Sequence, residues 1–83
     1  MNQHYNDKVD TALNDIKQEV LSAKAVYQAD FVNQHEAYAV ILEEVDELWA
    51  EIKKNQKTYD LVLQRKEAKQ AAAMLVRLMV ELL

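Results

Sequence analysis

Apolar positions recur along this chain with the period of an α-helix, in three stretches. From about residue 8 to 28, Val9, Leu13, Ile16, Val20, Ala23 and Tyr27 alternate spacings of four and three, forming a heptad-like seam. Asp7 is placed to cap this helix, and Asp10 falls in its first turn, facing the positive end of the dipole. The segment "YQADFVNQ" then breaks the period. Asn33, followed three residues later by Glu36, has the form of a capping box and starts a second helix at about residue 34. Its apolar arc is Tyr38, Ile41, Leu42, Val45, Leu48, Trp49 and Ile52. Lys53 and Lys54 suit its C-terminal end, and Asn55 can take a left-handed exit. "NQKT" reads as a short polar connection. A third helix is predicted from about residue 59 to the terminus, with Leu61, Ala68, Ala72, Leu75, Met79 and Leu82 on one face. There is no internal repeat or low-complexity tract, so residues 1–83 read as one helical domain.

Composition sharpens this picture. The 83 residues include no Gly, no Pro and no Cys, and 51% are apolar. Without the two main chain punctuators, tight β-turns are disfavoured and a few long helices are favoured. Without Cys there is neither a disulfide framework nor a thiolate metal site, which suits a cytoplasmic setting. No uncharged apolar run approaches the roughly 20 residues that span a bilayer, and "MNQHYNDK" does not resemble a signal segment. The expectation is therefore no membrane partner. A net charge of −4 and a pI of about 5.0 disfavour an electrostatic nucleic-acid binder. The chain ends in "LVRLMVELL", spreading Leu75, Val76, Leu78, Met79, Val80, Leu82 and Leu83 over an arc too wide for two short helices to cover. The expected fold is all-α, a three-helix subunit that completes a helical bundle by oligomerisation, as a homodimer or homotetramer.

The chemistry concentrates in "ILEEVDELWAEIKK". At about 100° per residue, Glu44, Glu47 and Glu51 fall within about 60° of one another beside the apolar arc, and Glu43 lies further round. Glu44 and Glu47, three residues apart, project together and could chelate one ion. On the third helix Glu67 and Gln70 share that spacing, and two antiparallel helices would bring the two pairs face to face. Oxygen ligands without Cys or clustered His indicate a hard cation, Mg²⁺ or Mn²⁺, rather than zinc. On periodicity alone a solvated acidic flank is the simpler explanation, since Glu-rich helices are common.

A resemblance changes that weighting. "HEAYAVILEEVDELWAEIKKN" followed by "RKEAKQAAAMLVRLM" resembles the MazG-like branch of the all-α nucleoside triphosphate pyrophosphohydrolases, whose hallmark is Glu-Glu-x-x-Glu on one helix and Glu-x-x-Asp on the next. Glu43, Glu44 and Glu47 match the first motif. Glu67 opens the second, but Gln70 stands where the family usually has Asp. The likeness is best over residues 35–79. It implies cleavage of a nucleoside triphosphate between its α and β phosphates, giving a monophosphate and pyrophosphate. Glu44, Glu47, Glu67 and Gln70 would be the metal ligands, and Glu43 or Glu47 would take the proton of the attacking water. Lys54, Lys66, Lys69 or Arg77 could steady the phosphates, although each also suits a plain surface charge.

Other conspicuous residues have simpler assignments. Trp49 could stack on a base, but its place in the apolar arc favours core packing. Met74 and Met79 are expected as core fillers. "HEAYA" is not a zinc-protease motif, because Ala39 stands where a second His is needed, and His35 reads as a first-turn structural or solvent-facing residue. The single Ser and two Thr lack His–acid partners nearby in the sequence, so a nucleophilic triad has no support. Two alternatives stay open. Gln70 suggests a catalytically weakened relative that binds nucleotide or metal, and the heptad seam of the first helix suggests a helical assembly protein.

Overall fold

The computed structural model describes residues 3–54 and 60–83, which form three α-helices and, among the described residues, no strand. The connection "NQKT" and the Asn55 exit lie outside the described residues. Helix α1 spans Gln3–Val26, α2 spans Gln34–Ile52 and α3 spans Leu61–Leu82. No described helix is long and apolar enough to cross a membrane.

The helix ends follow local chemistry. Asn33 is extended, and its side chain accepts from the Glu36 amide at 2.9 Å, as the capping pair predicts. Glu36 reciprocates one residue earlier than expected, accepting from the Val32 amide at 3.1 Å. Asp60, a cap that the apolar period does not reveal, accepts from the Val62 and Leu63 amides and starts α3 at Leu61. The start of α1 corrects an expectation. Asp7 does not cap it, nor is Asp10 in its first turn, because the helix is already under way at Gln3. Gln3 Nε2 donates to Asp7 Oδ1 one turn on, and Thr11 Oγ1 donates to the Asp7 carbonyl. The helix ends at Val26, with the Tyr27 amide still bonding Ala23 O at 2.8 Å.

Helix α3 lies in the middle. It packs against α2 on one flank and α1 on the other, while α1 and α2 make no helix–helix contact. Phe31 pairs with Glu81, and Glu44 with Glu67, so α2 and α3 run antiparallel. The buried residues are Ala37 and Ile41 on α2, Ala71, Ala73 and Arg77 on α3, and Phe31 in the α1–α2 connection, so half of them are alanines. Alanines let the helices approach closely and leave little room for large residues.

This packing corrects the expected apolar arcs. On α2 the row turned toward α3 is Ala37, Ile41, Glu44, Leu48 and Glu51, one position removed from the oiliest stripe. Tyr38, Leu42, Val45 and Ile52 are exposed, and Trp49, expected in the core, is 56% exposed. On α3 the predicted face is largely outside as well. Leu61, Leu75 and Met79 are exposed, and only Met74 of the two expected core methionines is partly buried. The seam of α1 is half right. Ile16, Val20 and Ala23 are half-buried, while Val9, Leu13 and Tyr27 stay exposed.

Candidate metal centre

The inner row of α2 carries Glu44 against α3, and antiparallel packing sets Glu67 opposite it. Glu47, one turn beyond Glu44, stands at the exposed rim. One carboxylate oxygen from each of Glu44, Glu47 and Glu67 lies within 4.8 Å of the other two. Glu44 Oε2 and Glu67 Oε2 are buried without a hydrogen-bond partner. A buried, unsatisfied carboxylate oxygen costs roughly 1–3 kcal/mol or more, so this arrangement is unfavourable for the protein alone.

Its electrostatics say the same. Burial pushes the Glu44 carboxyl above the usual carboxylate range, reinforced by the negative charges of Glu47, Glu67 and Glu43. Burial also raises Glu67, with the charge of Glu47 and a hydrogen bond to it acting the same way and Lys66 opposing them. These carboxyls hold protons more tightly than exposed ones do, and a cation among them would reverse that preference. The donor set is all oxygen, and its carboxylates come from two packed helices. It fits a hard divalent ion.

The other expected site residues divide. Gln70 shares with Glu44, Val40, Met74 and Arg77 a cleft of about 460 Å³ that opens between α1 and α2. Tyr27 and Phe31 line its far end. Glu43 is exposed, and its charge is a lesser influence on Glu44 than those of Glu47 and Glu67. Lys54 is bound to Glu51 at 2.8 Å. Lys66 and Lys69 line a shallow hollow with Asp15 and Arg65 on the α1 flank of α3, where Arg65 and Asp15 pair at 2.8 Å.

Arg77 is neither a surface charge nor a free phosphate ligand. It is 6% exposed, and its guanidinium grips Glu81 through Nε at 2.8 Å and Nη2 at 3.2 Å. It also donates to Ala29 O at 3.3 Å and lies over the Phe31 ring at 4.4 Å. Glu81 in turn accepts from the Phe31 amide at 2.8 Å and receives Lys24 at 3.8 Å. Its carboxyl is held below the usual range, first by the hydrogen bond from Arg77. This latch folds the α1–α2 connection over the C-terminal end of α3 and closes one end of the cleft. Phe31 and Glu81 therefore shape the site, although neither is conspicuous in the sequence. The only signal was the four-residue spacing of Arg77 and Glu81, which also describes any solvated helix pair.

No protein-family model matches the chain, and no curated protein or solved structure matches it significantly.

Proposed function

We propose that this chain is a metal-dependent nucleoside triphosphate pyrophosphohydrolase, cleaving (d)NTP to (d)NMP and pyrophosphate, and that it works as a self-associated subunit. The observation that carries the reading is the meeting of Glu44, Glu47 and Glu67 within 4.8 Å, with two of their oxygens buried and unsatisfied. They are the residues that the resemblance to the MazG-like family marks as metal ligands, and they meet across a helix pair that also borders a cleft.

Glu44, Glu47 and Glu67 would hold Mg²⁺, or Mn²⁺, with the Gln70 carbonyl as a neutral supplement. Bound there, the cation supplies charge neutralisation for the polyphosphate and a lowered pKa for the attacking water. Glu47 suits the proton acceptor better than Glu43 does. It is exposed at the rim yet within hydrogen-bond reach of both Glu44 and Glu67. It would take the proton of the water whose oxygen attacks the α-phosphorus, while the bridging oxygen leaves with pyrophosphate. Lys66, whose charge is felt at Glu67, is the best-placed cation to meet the departing phosphates. Arg77 is excluded from that role by its commitment to Glu81.

Gln70 favours a second reading, a catalytically weakened relative that binds metal and nucleotide with little turnover. One assay separates the two. Purified protein is incubated with a panel of NTPs and dNTPs and Mg²⁺ or Mn²⁺, and monophosphate and pyrophosphate are quantified. Release that disappears in Glu44→Ala and Glu67→Ala supports hydrolysis. Nucleotide binding without release selects the weakened relative, and neither binding nor release sinks both.

A further inference from the structure

The latch leaves one donor group over. Arg77 gives Nε and Nη2 to Glu81, and Nη2 also to Ala29 O. Among the described residues nothing accepts from Nη1. The sealed side-chain atoms without a partner there are Glu44 Oε2 and Glu67 Oε2, so Nη1 still meets open space. A guanidinium is planar, and the edge spent on Glu81 turns Nη1 the opposite way. Glu81 faces a small hollow shared with Lys24 and Asp30, whereas the larger cleft lies on the other side of Arg77. Nη1 therefore presents two N–H donors to the cleft from a side chain that is 6% exposed. The Phe31 ring, 4.4 Å from the guanidinium carbon, holds that plane in place.

The cleft is ordered along α3. Asp15 pairs with Arg65 and Lys24 with Glu81, so α1 runs parallel to α3, while α2 runs antiparallel. Glu19, Glu44 and Gln70 therefore mark the end beside the carboxylate cluster, and Ala23, Val40 and Met74 form an apolar middle. Tyr27, Phe31 and Arg77 stand at the closed end. From Gln70 to Arg77 the helix rises about 10 Å. That length takes a sugar at the polar end and a flat ring across the apolar middle, with the ring's far edge at Arg77. The volume, about 460 Å³, suits a small molecule of this kind. Because Glu81 already neutralises Arg77, the closed end calls for a dipolar acceptor rather than an anion.

We infer that Arg77 Nη1 reads the far edge of a nucleobase in this cleft and selects a keto oxygen there. The substrate class is then the nucleotides of guanine, hypoxanthine, uracil and thymine, in preference to those of adenine and cytosine. This rests on the nucleotide reading proposed above and adds its specificity. Guanine and hypoxanthine carry O6 on the edge remote from the sugar, and uracil and thymine carry O4. Adenine and cytosine carry an amino group there, which meets the Nη1 donors with no lone pair to offer. Arg77 thus serves the substrate at the end opposite the phosphates that the sequence expectation gave it.

Nucleotide pairs that differ at that edge test the inference. With Mg²⁺, kcat/KM for pyrophosphate release should favour ITP over ATP, and UTP over CTP, by at least about tenfold. Arg77→Lys keeps a cation for Glu81, but a single nitrogen cannot hold Glu81 and reach the ring as the fork does. Both preferences should fall to about twofold or less in this variant, with helical circular dichroism retained. Should Arg77→Lys lose its helix signal, purine riboside triphosphate on the unsubstituted chain replaces it. Lacking any group at position 6, it should be as poor as ATP, because Nη1 is left without an acceptor. Purine riboside turning over like ITP overturns the inference. So do equal rates within the ITP–ATP or UTP–CTP pair, and so does a preference that Arg77→Lys retains in full; each leaves the hydrolase reading standing. If no nucleotide releases pyrophosphate, the hydrolase reading fails and calorimetry with IMP and AMP decides the inference. IMP binding about tenfold tighter than AMP upholds it, and equal binding or none overturns it.

Discussion

Helix α2 carries two seams with one period, offset by a single residue. The inner seam, Ala37, Ile41, Glu44, Leu48 and Glu51, turns carboxylates toward α3, where burial works against their charge. The outer seam, Tyr38, Leu42, Val45, Trp49 and Ile52, turns large apolar side chains toward water. An isolated subunit selected only for stability would exchange them, burying the oil and solvating the acids. The exchange needs a rotation of only about 100° about the helix axis, so local geometry does not forbid it. What opposes it is the facing surface. Ala71 is buried on α3 beside Glu67 and leaves little room for a side chain the size of Trp49, while Ala73, about 200° round the helix, lies on the other face. The inner seam thus gathers carboxylates where burial disfavours their charge, and the outer seam leaves large apolar side chains in the open.

The largest expected effect comes from outside both seams, from the latch that ties the α1–α2 connection to α3. Arg77→Ala leaves Glu81 buried without its main partner, and breaking such a pair costs about 3–5 kcal/mol. An 83-residue domain has little more than that in reserve. Urea denaturation should show a folded baseline that is shortened or lost, with metal response and self-association failing together. If Arg77→Ala keeps its midpoint, the latch is not what holds the connection onto α3.

Next in size is the inner seam alone. Glu67→Ala should reduce hydrolysis by at least about a hundredfold, the scale of losing a principal charge-stabilising group, while leaving the oligomeric mass unchanged. Glu43→Ala, from the exposed side, should cost much less. Equal losses in the two variants, read from pyrophosphate release, would break the assignment of Glu47 over Glu43.

How much of this was legible in the sequence depends on which seam is considered. The meeting of Glu44, Glu47 and Glu67 was legible through the family resemblance, since on spacing alone a solvated acidic flank is the simpler reading. The Asn33–Glu36 start of α2 was legible from local capping chemistry. Which seam turns inward was not, because hydrophobic periodicity selects the oilier stripe, and here that stripe faces away from the subunit's own core. Arg77 was misread because its partners Phe31 and Ala29 are distant in sequence, and only the path of the connection brings them together. Asp60 was missed because a cap two residues beyond the polar "NQKT" looks like more of the same loop.

Smaller, and specific to the inner seam, is a pH effect. Glu44 and Glu67 bind protons more tightly folded than unfolded, so between the ordinary carboxylate range and their raised values the folded state holds the extra proton. Stability should therefore fall as pH rises through that window. Glu81 acts oppositely. Its lowered value adds stability that is present above the ordinary range and lost as pH falls through the folded value. The metal-free protein should be most stable in mildly acid solution, and Mg²⁺ should restore stability toward neutral pH. Glu67→Gln should raise the metal-free Tm at pH 7 by several degrees, on a scale of about 4–8 °C per kcal/mol, and remove most of the Mg²⁺ response. A Tm that rises steadily to pH 8 without metal contradicts the buried-cluster account.

The smallest expected effect, and the finest probe of the inner seam, is at Gln70. An Asp there would add a carboxylate beside Glu44 and Glu67; the Gln carbonyl can still ligate Mg²⁺ but brings no charge, and its extra methylene carries the oxygen outward. Metal binding in the free protein should therefore be weak, and markedly stronger once nucleotide phosphates contribute oxygens of their own. Gln70→Asp should tighten Mg²⁺ and lower the metal concentration for half-maximal hydrolysis. The tightening should be larger without nucleotide than with it, because phosphate oxygens supply the same charge. It carries a cost in the metal-free state, since a fourth anion adds to the repulsion that already raises Glu44, so Tm without metal should drop by a few degrees. The outer seam should not register the change, and the oligomeric mass should stay as it was. Calorimetry on both forms, with and without a non-hydrolysable nucleotide, reads the first effect, and thermal melts read the second. If neither moves, Gln70 lines the cleft without facing the ion, and the charge of the site is complete with Glu44, Glu47 and Glu67.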